Sequence, residues 1–334
     1  MNYRDPIHGS VQITDPVIVE LIESTPLQRL KRVDQYGYRP LWVKPDVKIG
    51  PLDSSRFVHS VGVYLLLRRF GAALDEQIAG LIHDVSHTAF SHCGDYIFGE
   101  ENEKRQHFQD SIFEKFVTGS EIPTILEKYG FDLAEILDDS HFPLKERLLP
   151  DLCADRIAYG LQDALNFEEI NRSQAKGFLE ALRAEDGRWF FTSLARAREF
   201  AELFLEMSDV YWASEHSAVE LKTVGDVLRH SLEQGHITHD DLHTTDREVL
   251  DKITAAKNDG RLLELLKRMN AEYSFVSDRT QYDLHTFCKS RAVDPYCMHE
   301  GRIVRVSDVD PEWGPIVSNG LEPKEHFIKF TPRV

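Results

Sequence analysis

Two neighbouring apolar segments with helical periodicity carry histidines, and this pair of segments constrains the fold most strongly. The segment 56–70 has His59 near its start, and the segment 74–84 ends with His83 and Asp84. The apolar residues of each segment recur at the spacing of one face of a helix. Two antiparallel helices joined by a short turn would bring the start of the first beside the end of the second. We therefore expect His59 to meet His83 and Asp84 in the folded chain.

These side chains have the chemistry of a metal site. Two imidazoles and a carboxylate suit one divalent transition metal such as Fe, Mn or Zn, and they leave positions open for water and substrate. Asp155 lies in a helical pattern of small and apolar neighbours, where an ionised aspartate is costly unless it is paired or bound to a metal. Asp155 is therefore the natural fourth ligand beside His59, His83 and Asp84. Mg²⁺ is a further candidate that would arrive with the substrate.

The distribution of periodicity along the chain predicts a mainly α fold. Further helical patterns cover 102–118, 145–163 and 193–235, whereas the segment 37–53 is rich in Pro, Gly and Asp and predicts a loop. After about residue 236, short β-like runs alternate with Asp, Pro and Gly. We predict a helical core over residues 1–236 and a small α+β region over 237–334.

Charge and composition exclude several classes of partner. The formal net charge of −17 disfavours strong binding to nucleic acid or to anionic membranes, because both are polyanions. The N-terminus lacks the apolar stretch of a signal peptide, and the apolar run Val61–Leu67 is too short to span a membrane. The four cysteines form no C-x-x-C pair. The expectation is a cytoplasmic protein that acts on a small molecule.

The motifs around these residues resemble those of the HD-domain phosphohydrolases. Within that superfamily they are similar to the deoxynucleoside triphosphate triphosphohydrolases, the branch that includes the SAM-and-HD-domain enzyme. The H…HD…D pattern of the superfamily falls on the four candidate metal ligands. The longer match runs through Asp5–Gly9, Gln28–Leu30, Arg56–Gly62, His83–His92 and Asp155–Tyr159, and it reappears at Lys289–Pro295. The similarity is clear over about residues 3–165 and looser through about residue 235.

The resemblance implies an HD-domain helical bundle and a role for each matched residue. His59, His83, Asp84 and Asp155 would hold the metal, with Asp84 part of the catalytic centre. His87 and His92 would face the phosphates, and His92 and His107 would be the candidates for protonating the leaving oxygen. Arg56 would neutralise phosphate charge through its forked donors. Gln35, Tyr159 and Tyr211 would line the pocket for the sugar and phosphates. Similar enzymes are commonly homo-oligomers.

Two departures from that branch leave the substrate open. Phe108 stands where the branch has a glutamate after the histidine matched by His107, and Leu203 and Met207 stand where cationic phosphate-binding residues are expected. The first expectation is hydrolysis of deoxynucleoside triphosphates to nucleoside and triphosphate. One alternative is a phosphomonoesterase or phosphodiesterase acting on another nucleotide or phosphorylated metabolite. The other is a degenerate, nucleotide-binding regulatory module, against which the intact set of four ligands argues.

Overall fold

Helices account for most of the regular structure, as the sequence predicts. The computed structural model describes residues 1–38 and 54–333. Helices α1 to α16 are, in order, Pro16–Glu23, Thr25–Arg29, Arg56–Arg69, Leu74–Ile82, Glu100–Arg105, Phe108–Thr118, Ile122–Lys128, Leu133–Leu137, Ala154–Asn166, Arg172–Ala181, Leu194–Met207, Glu215–Glu233, Asp246–Ala255, Gly260–Met269, Val306–Val309 and Trp313–Gly320. Strands β1 to β9 are Asn2–Asp5, Gly9–Gln12, Leu182–Glu185, Arg188–Phe191, Tyr273–Ser277, Leu284–Cys288, Tyr296–His299, Arg302–Arg305 and Lys324–Pro332. The mainly α fold with a small α+β C-terminal region is confirmed.

Helix α3 lies at the centre of the molecule and is buried along nearly its whole length. Its start is capped by Ser55, whose side chain accepts a hydrogen bond from the Val58 amide. A turn with Gly71 at a φ of 74° joins α3 to α4. A Cβ at Gly80 would lie only 2.4 Å from Cδ1 of Leu67, so the two helices cross closely. This packing places the end of α4 beside the start of α3.

Helix α9 packs on α3 and completes the surroundings of the buried helix. On its other side, α9 packs against α11, where Gly160 leaves room for the ring of Phe204. The apolar cluster between them includes Ile157, Leu161 and Phe200. Burial of this apolar surface fixes the first turn of α9 against α3.

The strands form three small sheets, and one of them joins distant parts of the chain. Strands β1 and β2 form a hairpin, and β5, β9 and β6 form a three-stranded antiparallel sheet. The four-stranded sheet has the order β3-β4-β7-β8, in which β4 pairs with β7 in parallel. Residues on both sides of position 236 therefore share one sheet. The division into 1–236 and 237–334 stays a prediction.

A 3₁₀ segment, Ser91–Ile97, lies against α12. The contact is close, because a Cβ at Gly225 would lie 2.4 Å from Cβ of Tyr96. The rings and aliphatic side chains around it form a separate apolar cluster that includes Phe90 and Val224. This contact matters for the site because the segment carries His92.

Several predicted elements differ in their bounds. The pattern over 102–118 is two helices, α5 and α6, because Gln106 takes a left-handed φ of 49° and interrupts them. The pattern over 145–163 is helical only from Ala154, since Pro150 has no amide hydrogen and restricts the residue before it. Apart from residues 37 and 38, the predicted loop over 37–53 lies outside the described residues. Across the described ranges, every helix is too short or too polar to cross a lipid bilayer.

Candidate functional site

The four candidate metal ligands converge where α3, α4 and α9 meet. His59 lies near the start of α3, His83 and Asp84 directly follow α4, and Asp155 is in the first turn of α9. The Nε2 atom of His59 lies 2.9 Å from Oδ1 of Asp155 and 3.2 Å from Nε2 of His83. The Nε2 atom of His83 lies 3.3 Å from Oδ1 of Asp84. The helix packing alone brings these side chains together.

This donor set fits one divalent cation. Ligand bonds of about 2.0–2.2 Å to imidazole nitrogen and carboxylate oxygen hold neighbouring donor atoms roughly 3 Å apart. The Nδ1 atom of His83 lies 2.8 Å from the Gly80 carbonyl oxygen. That contact directs Nε2 of His83 into the cluster, as second-shell contacts do for metal-binding histidines. His59, His83 and Asp155 each offer a donor atom within 4.8 Å of the other two, which suits one cation without rearrangement of the backbone. The Asp84 carboxylate lies next to this group, 3.3 Å from Nε2 of His83.

The charges of the cluster also call for a cation. Burial opposes the ionisation of Asp155, but His59 and His83 hold the pKa of Asp155 well below its usual range. Burial likewise opposes the ionisation of Asp84, whose pKa is held low by His83 and Arg56. Burial lowers the pKa of His83, yet Asp84 and Asp155 together raise it to about 9. A proton on His83 therefore balances part of the negative charge of the two carboxylates. A bound cation would take the place of that proton.

Arg56 contacts Asp84, one of the candidate metal ligands. Its Nη1 donates to Oδ2 of Asp84 at 2.7 Å, and its Nε donates to Oγ of Ser91 at 2.9 Å. The side chain is buried, which makes this charge-assisted pair rigid. Arg56 also lines the cavity described below. Its predicted contact with phosphate stays a prediction.

His87 and His92 lie beside the cluster, with ring centroids 5.0 Å apart. The Nε2 atom of His87 is 3.4 Å from Oδ1 of Asp84. Burial and the nearby Arg56 lower the pKa of His87 to about 3, so this imidazole is neutral at ordinary pH. Burial also lowers the pKa of His92, but Asp95 opposes that shift through a contact of 2.9 Å to Nδ1.

His107 is not brought to the cavity. It precedes α6, and its Nδ1 is buried with no hydrogen-bond partner in the described parts of the chain. Its neighbours Gln109 and Asp110 line the cavity instead. Asp110 accepts a hydrogen bond from Gln109, with no contact to His107. A role of His107 in proton transfer therefore has no geometric support, whereas His92 faces the cavity.

A cavity of about 700 Å³ opens over the cluster. The predicted substrate residues Gln35, Tyr159 and Tyr211 all line it. The Oε1 atom of Gln35 is buried without a partner among the described residues. The ring of Tyr159 lies 6.5 Å from that of His59, near the cluster. Tyr211 stacks on Phe167 at 4.2 Å and donates to Glu169.

Asp163 also lines the cavity, and sequence reasoning missed it. Its two carboxylate oxygens accept hydrogen bonds of 2.8 Å each from the hydroxyl of Tyr36 and from Nε1 of Trp212. Burial raises the pKa of Asp163 to about 6. The sequence did contain a signal for Asp163, because it lies on the same face of α9 as Tyr159, one turn further along the helix.

A group of basic residues also lines the cavity. Most of them come from the irregular segment before α9 and from the chain after β6. The members are Lys145, Arg147, Arg156, Lys289 and Arg291. A cavity that combines a candidate metal centre with basic walls suits a phosphorylated ligand.

Comparison with known proteins places the site residues in a named family. Residues 56–159 match the HD domain family. The chain is 38% identical over 318 residues to the uncharacterized protein YdhJ of Bacillus subtilis, with 92% of each chain covered. It is 31% identical over 327 residues to the metal-dependent phosphohydrolase cns2 of Cordyceps militaris, covering 93% of this chain and 89% of that one.

The similarity to triphosphohydrolases is more limited. The chain is 31% identical over 176 residues to the mouse deoxynucleoside triphosphate triphosphohydrolase SAMHD1. That match covers 44% of this chain and 26% of the mouse protein. The alignment with the phosphohydrolase of Cordyceps militaris thus extends over much more of the fold.

Proposed function

The chain belongs to the HD-domain family of metal-dependent phosphohydrolases, and from this membership we propose that it hydrolyses a phosphate bond of a nucleotide. One observation carries the proposal: the cluster of His59, His83, Asp84 and Asp155 lies in the same cavity as a wall of basic residues. The cluster supplies donors for a divalent cation, and the basic wall supplies charge for a phosphate. Release of phosphate from a nucleotide panel by metal-loaded protein tests it.

The two histidines and two aspartates would hold the cation. When bound, a divalent cation polarises a phosphoryl oxygen and lowers the pKa of water near it. Arg56 keeps Asp84 in place through the 2.7 Å hydrogen bond to Oδ2. The carbonyl of Gly80 does the same for His83. These contacts hold the donors in position before any ligand arrives, which lowers the cost of binding.

We propose His92 as the general acid. Its Nδ1 is held by Asp95, so its Nε2 is free to serve the leaving oxygen. The carboxylate of Asp95 favours the protonated imidazole, as an acid requires. His87 is less suited to that role, because its pKa of about 3 keeps it neutral. A neutral His87 can still donate a hydrogen bond to a phosphoryl oxygen.

Deoxynucleoside triphosphates are the first candidate substrates. The resemblance around the H…HD…D residues and the name of the mouse relative support them. Attack at the α-phosphorus would yield nucleoside and inorganic triphosphate. Incubation of the protein with each deoxynucleoside triphosphate and Mn²⁺, Fe²⁺, Zn²⁺ or Mg²⁺ would detect both products. Absence of turnover with every metal near neutral pH removes this candidate.

A phosphomonoesterase or phosphodiesterase is the second candidate. Phe108, Leu203 and Met207 replace residues that the triphosphohydrolase branch uses, and a smaller phosphorylated substrate needs fewer contacts. The long alignment with a relative named only as a phosphohydrolase supports the same candidate. Orthophosphate or a nucleoside monophosphate as the product, with no triphosphate, distinguishes it from the first.

Two further expectations belong to the same proposal. A purely regulatory module would bind nucleotide and keep its cellular effect when Asp155 is replaced, whereas an enzyme would lose activity and metal together. Assembly into a homo-oligomer stays a prediction, which light scattering coupled to gel filtration would test.

A further inference from the structure

The chain after β6 delivers two cations to the cavity, and the proposed mechanism uses neither. Lys289 and Arg291 both line the cavity and are partly buried. The backbone amide of Arg291 donates to Oγ of Ser208 at 2.9 Å, and its Nη2 donates to Oε1 of Gln106 at 2.7 Å. The segment is thus held on both sides, which fixes where the two charges lie.

Of the other basic residues of the cavity, three are paired with carboxylates and one is exposed. Arg56 pairs with Asp84 at 2.7 Å, Arg156 with Glu146 at 3.1 Å and Lys145 with Asp139 at 2.5 Å. Arg147 is exposed and donates to backbone carbonyls. In the described parts of the chain, neither Lys289 nor Arg291 has a carboxylate within ion-pair distance.

Two cations close together in a half-buried cavity are unfavourable without an anion. Burial and the neighbouring Arg291 lower the pKa of Lys289 to about 8, which reflects this cost. Arg291 also lowers the pKa of His92, so Arg291 lies within electrostatic range of the proposed acid. An anion bound between the pair and His92 would relieve the repulsion.

We propose that Lys289 and Arg291 form the subsite that holds the phosphoryl group of a phosphomonoester substrate, a nucleoside monophosphate in the first instance. This inference rests on the proposed function, in the form of its second candidate, a phosphomonoesterase. A phosphate ester carries a charge of about −1.5 to −2 at neutral pH, which two cations match. A triphosphate chain carries more negative charge, and the cavity offers no further unpaired buried cation among the described residues to meet it.

Equilibrium binding to metal-free protein tests the subsite without depending on hydrolysis. Isothermal titration with dAMP, dATP and inorganic phosphate in the presence of a chelator would compare native protein with Lys289→Gln and Arg291→Gln. We expect each variant to bind dAMP about 10- to 100-fold more weakly, because each loses a charge-assisted hydrogen bond. Lys176→Gln, at an exposed lysine on α10, is the matched control and should change the affinity less than about twofold.

Charge-retaining variants guard against a structural artefact. Lys289→Arg and Arg291→Lys should keep dAMP affinity within about fivefold of native, while thermal unfolding checks that every variant is folded. Unchanged dAMP affinity in both glutamine variants would overturn the subsite. Native protein that binds dATP at least tenfold more tightly than dAMP would overturn the monoester assignment. If the glutamine variants bind dAMP more weakly but native protein hydrolyses no nucleotide, the result would support the subsite and remove the proposed function.

Discussion

The imidazole Nδ1 of His92 lies 2.9 Å from Oδ2 of Asp95, and Oδ1 of the same carboxylate accepts a hydrogen bond of 2.9 Å from the Phe108 amide. One carboxylate therefore orients the proposed acid and ties the 3₁₀ segment to the start of α6. Phe108 takes part in this arrangement only through its backbone amide. An orienting carboxylate is thus present for His92, whereas the glutamate of the triphosphohydrolase branch follows the histidine matched by His107.

Replacing Asp95 with Asn should lower kcat by about 10- to 100-fold, since an amide cannot favour the protonated imidazole as a carboxylate does. Asp95 raises the pKa of His92, so its loss lowers that pKa further. An acid must be protonated, and activity falls as pH rises through its pKa. The falling limb of the pH profile should therefore move to lower pH, with metal content unchanged. A loss of equal size at every pH would contradict the electrostatic role of Asp95 and leave only an orienting one.

Asp155→Ala should remove metal and activity together. The variant loses a carboxylate that lies 2.9 Å from Nε2 of His59. We expect metal content, measured by inductively coupled plasma mass spectrometry, to fall from about one ion per chain to background. Phosphate release should fall to background in the same preparation. Asp251→Asn, at an exposed carboxylate on α13, is the control and should retain both.

Gly225→Ala should destabilise the protein by about 1–3 kcal/mol, because the added methyl group would meet Tyr96 in a close-packed contact. The displaced segment carries His92, so kcat should fall as well. Gly177→Ala is the matched control, since its Cβ would meet nothing nearer than 3.9 Å. That control should raise the free energy of unfolding by up to about 1 kcal/mol through helix propensity. Urea denaturation measures the free energy of unfolding of both variants. Equal changes in the two would contradict the packing argument.

His243 should make the free energy of unfolding depend on pH. Burial and Arg29 lower the pKa of the folded-state imidazole to about 4, whereas the unfolded chain has the ordinary value of about 6.5. The unfolded chain therefore binds more protons between these values, and stability falls as pH drops from 7 to 5. Over that pH range, the free energy of unfolding of His243→Leu should fall by about 1–2 kcal/mol less than that of native protein, after allowance for partial solvent exposure. An identical loss in both proteins would refute this.

Much of the fold was predictable where short-range patterns decide it. The apolar periodicity of α3 and α4 predicts their packing, and their packing predicts that His59 meets His83. The helix break at Gln106 was not predictable in the same way, because it depends on a left-handed backbone that the local pattern does not require. The late start of α9 had a signal in Pro150, which the periodicity of the surrounding residues obscured.

The remaining parts of the site depend on contacts between distant residues. Tyr36, Asp163 and Trp212 share a hydrogen-bonded group although they come from three separate segments. No spacing rule links them. Lys289 and Arg291 are a similar case, since their motif was visible in the sequence but only the fold brings it to the cavity. Local chemistry therefore predicts the convergence of the candidate metal ligands better than the make-up of the cavity walls.

The parallel pairing of β4 with β7 has a consequence for synthesis on the ribosome. Strand β4 ends at Phe191, whereas its partner begins at Tyr296, near the C-terminal end of the chain. During translation the edge of β4 stays without its neighbour until more than a hundred further residues have been synthesised. The sheet around β4 is therefore completed only after this long intervening segment has been made, and chaperones that shield unpaired strand edges would act during that interval.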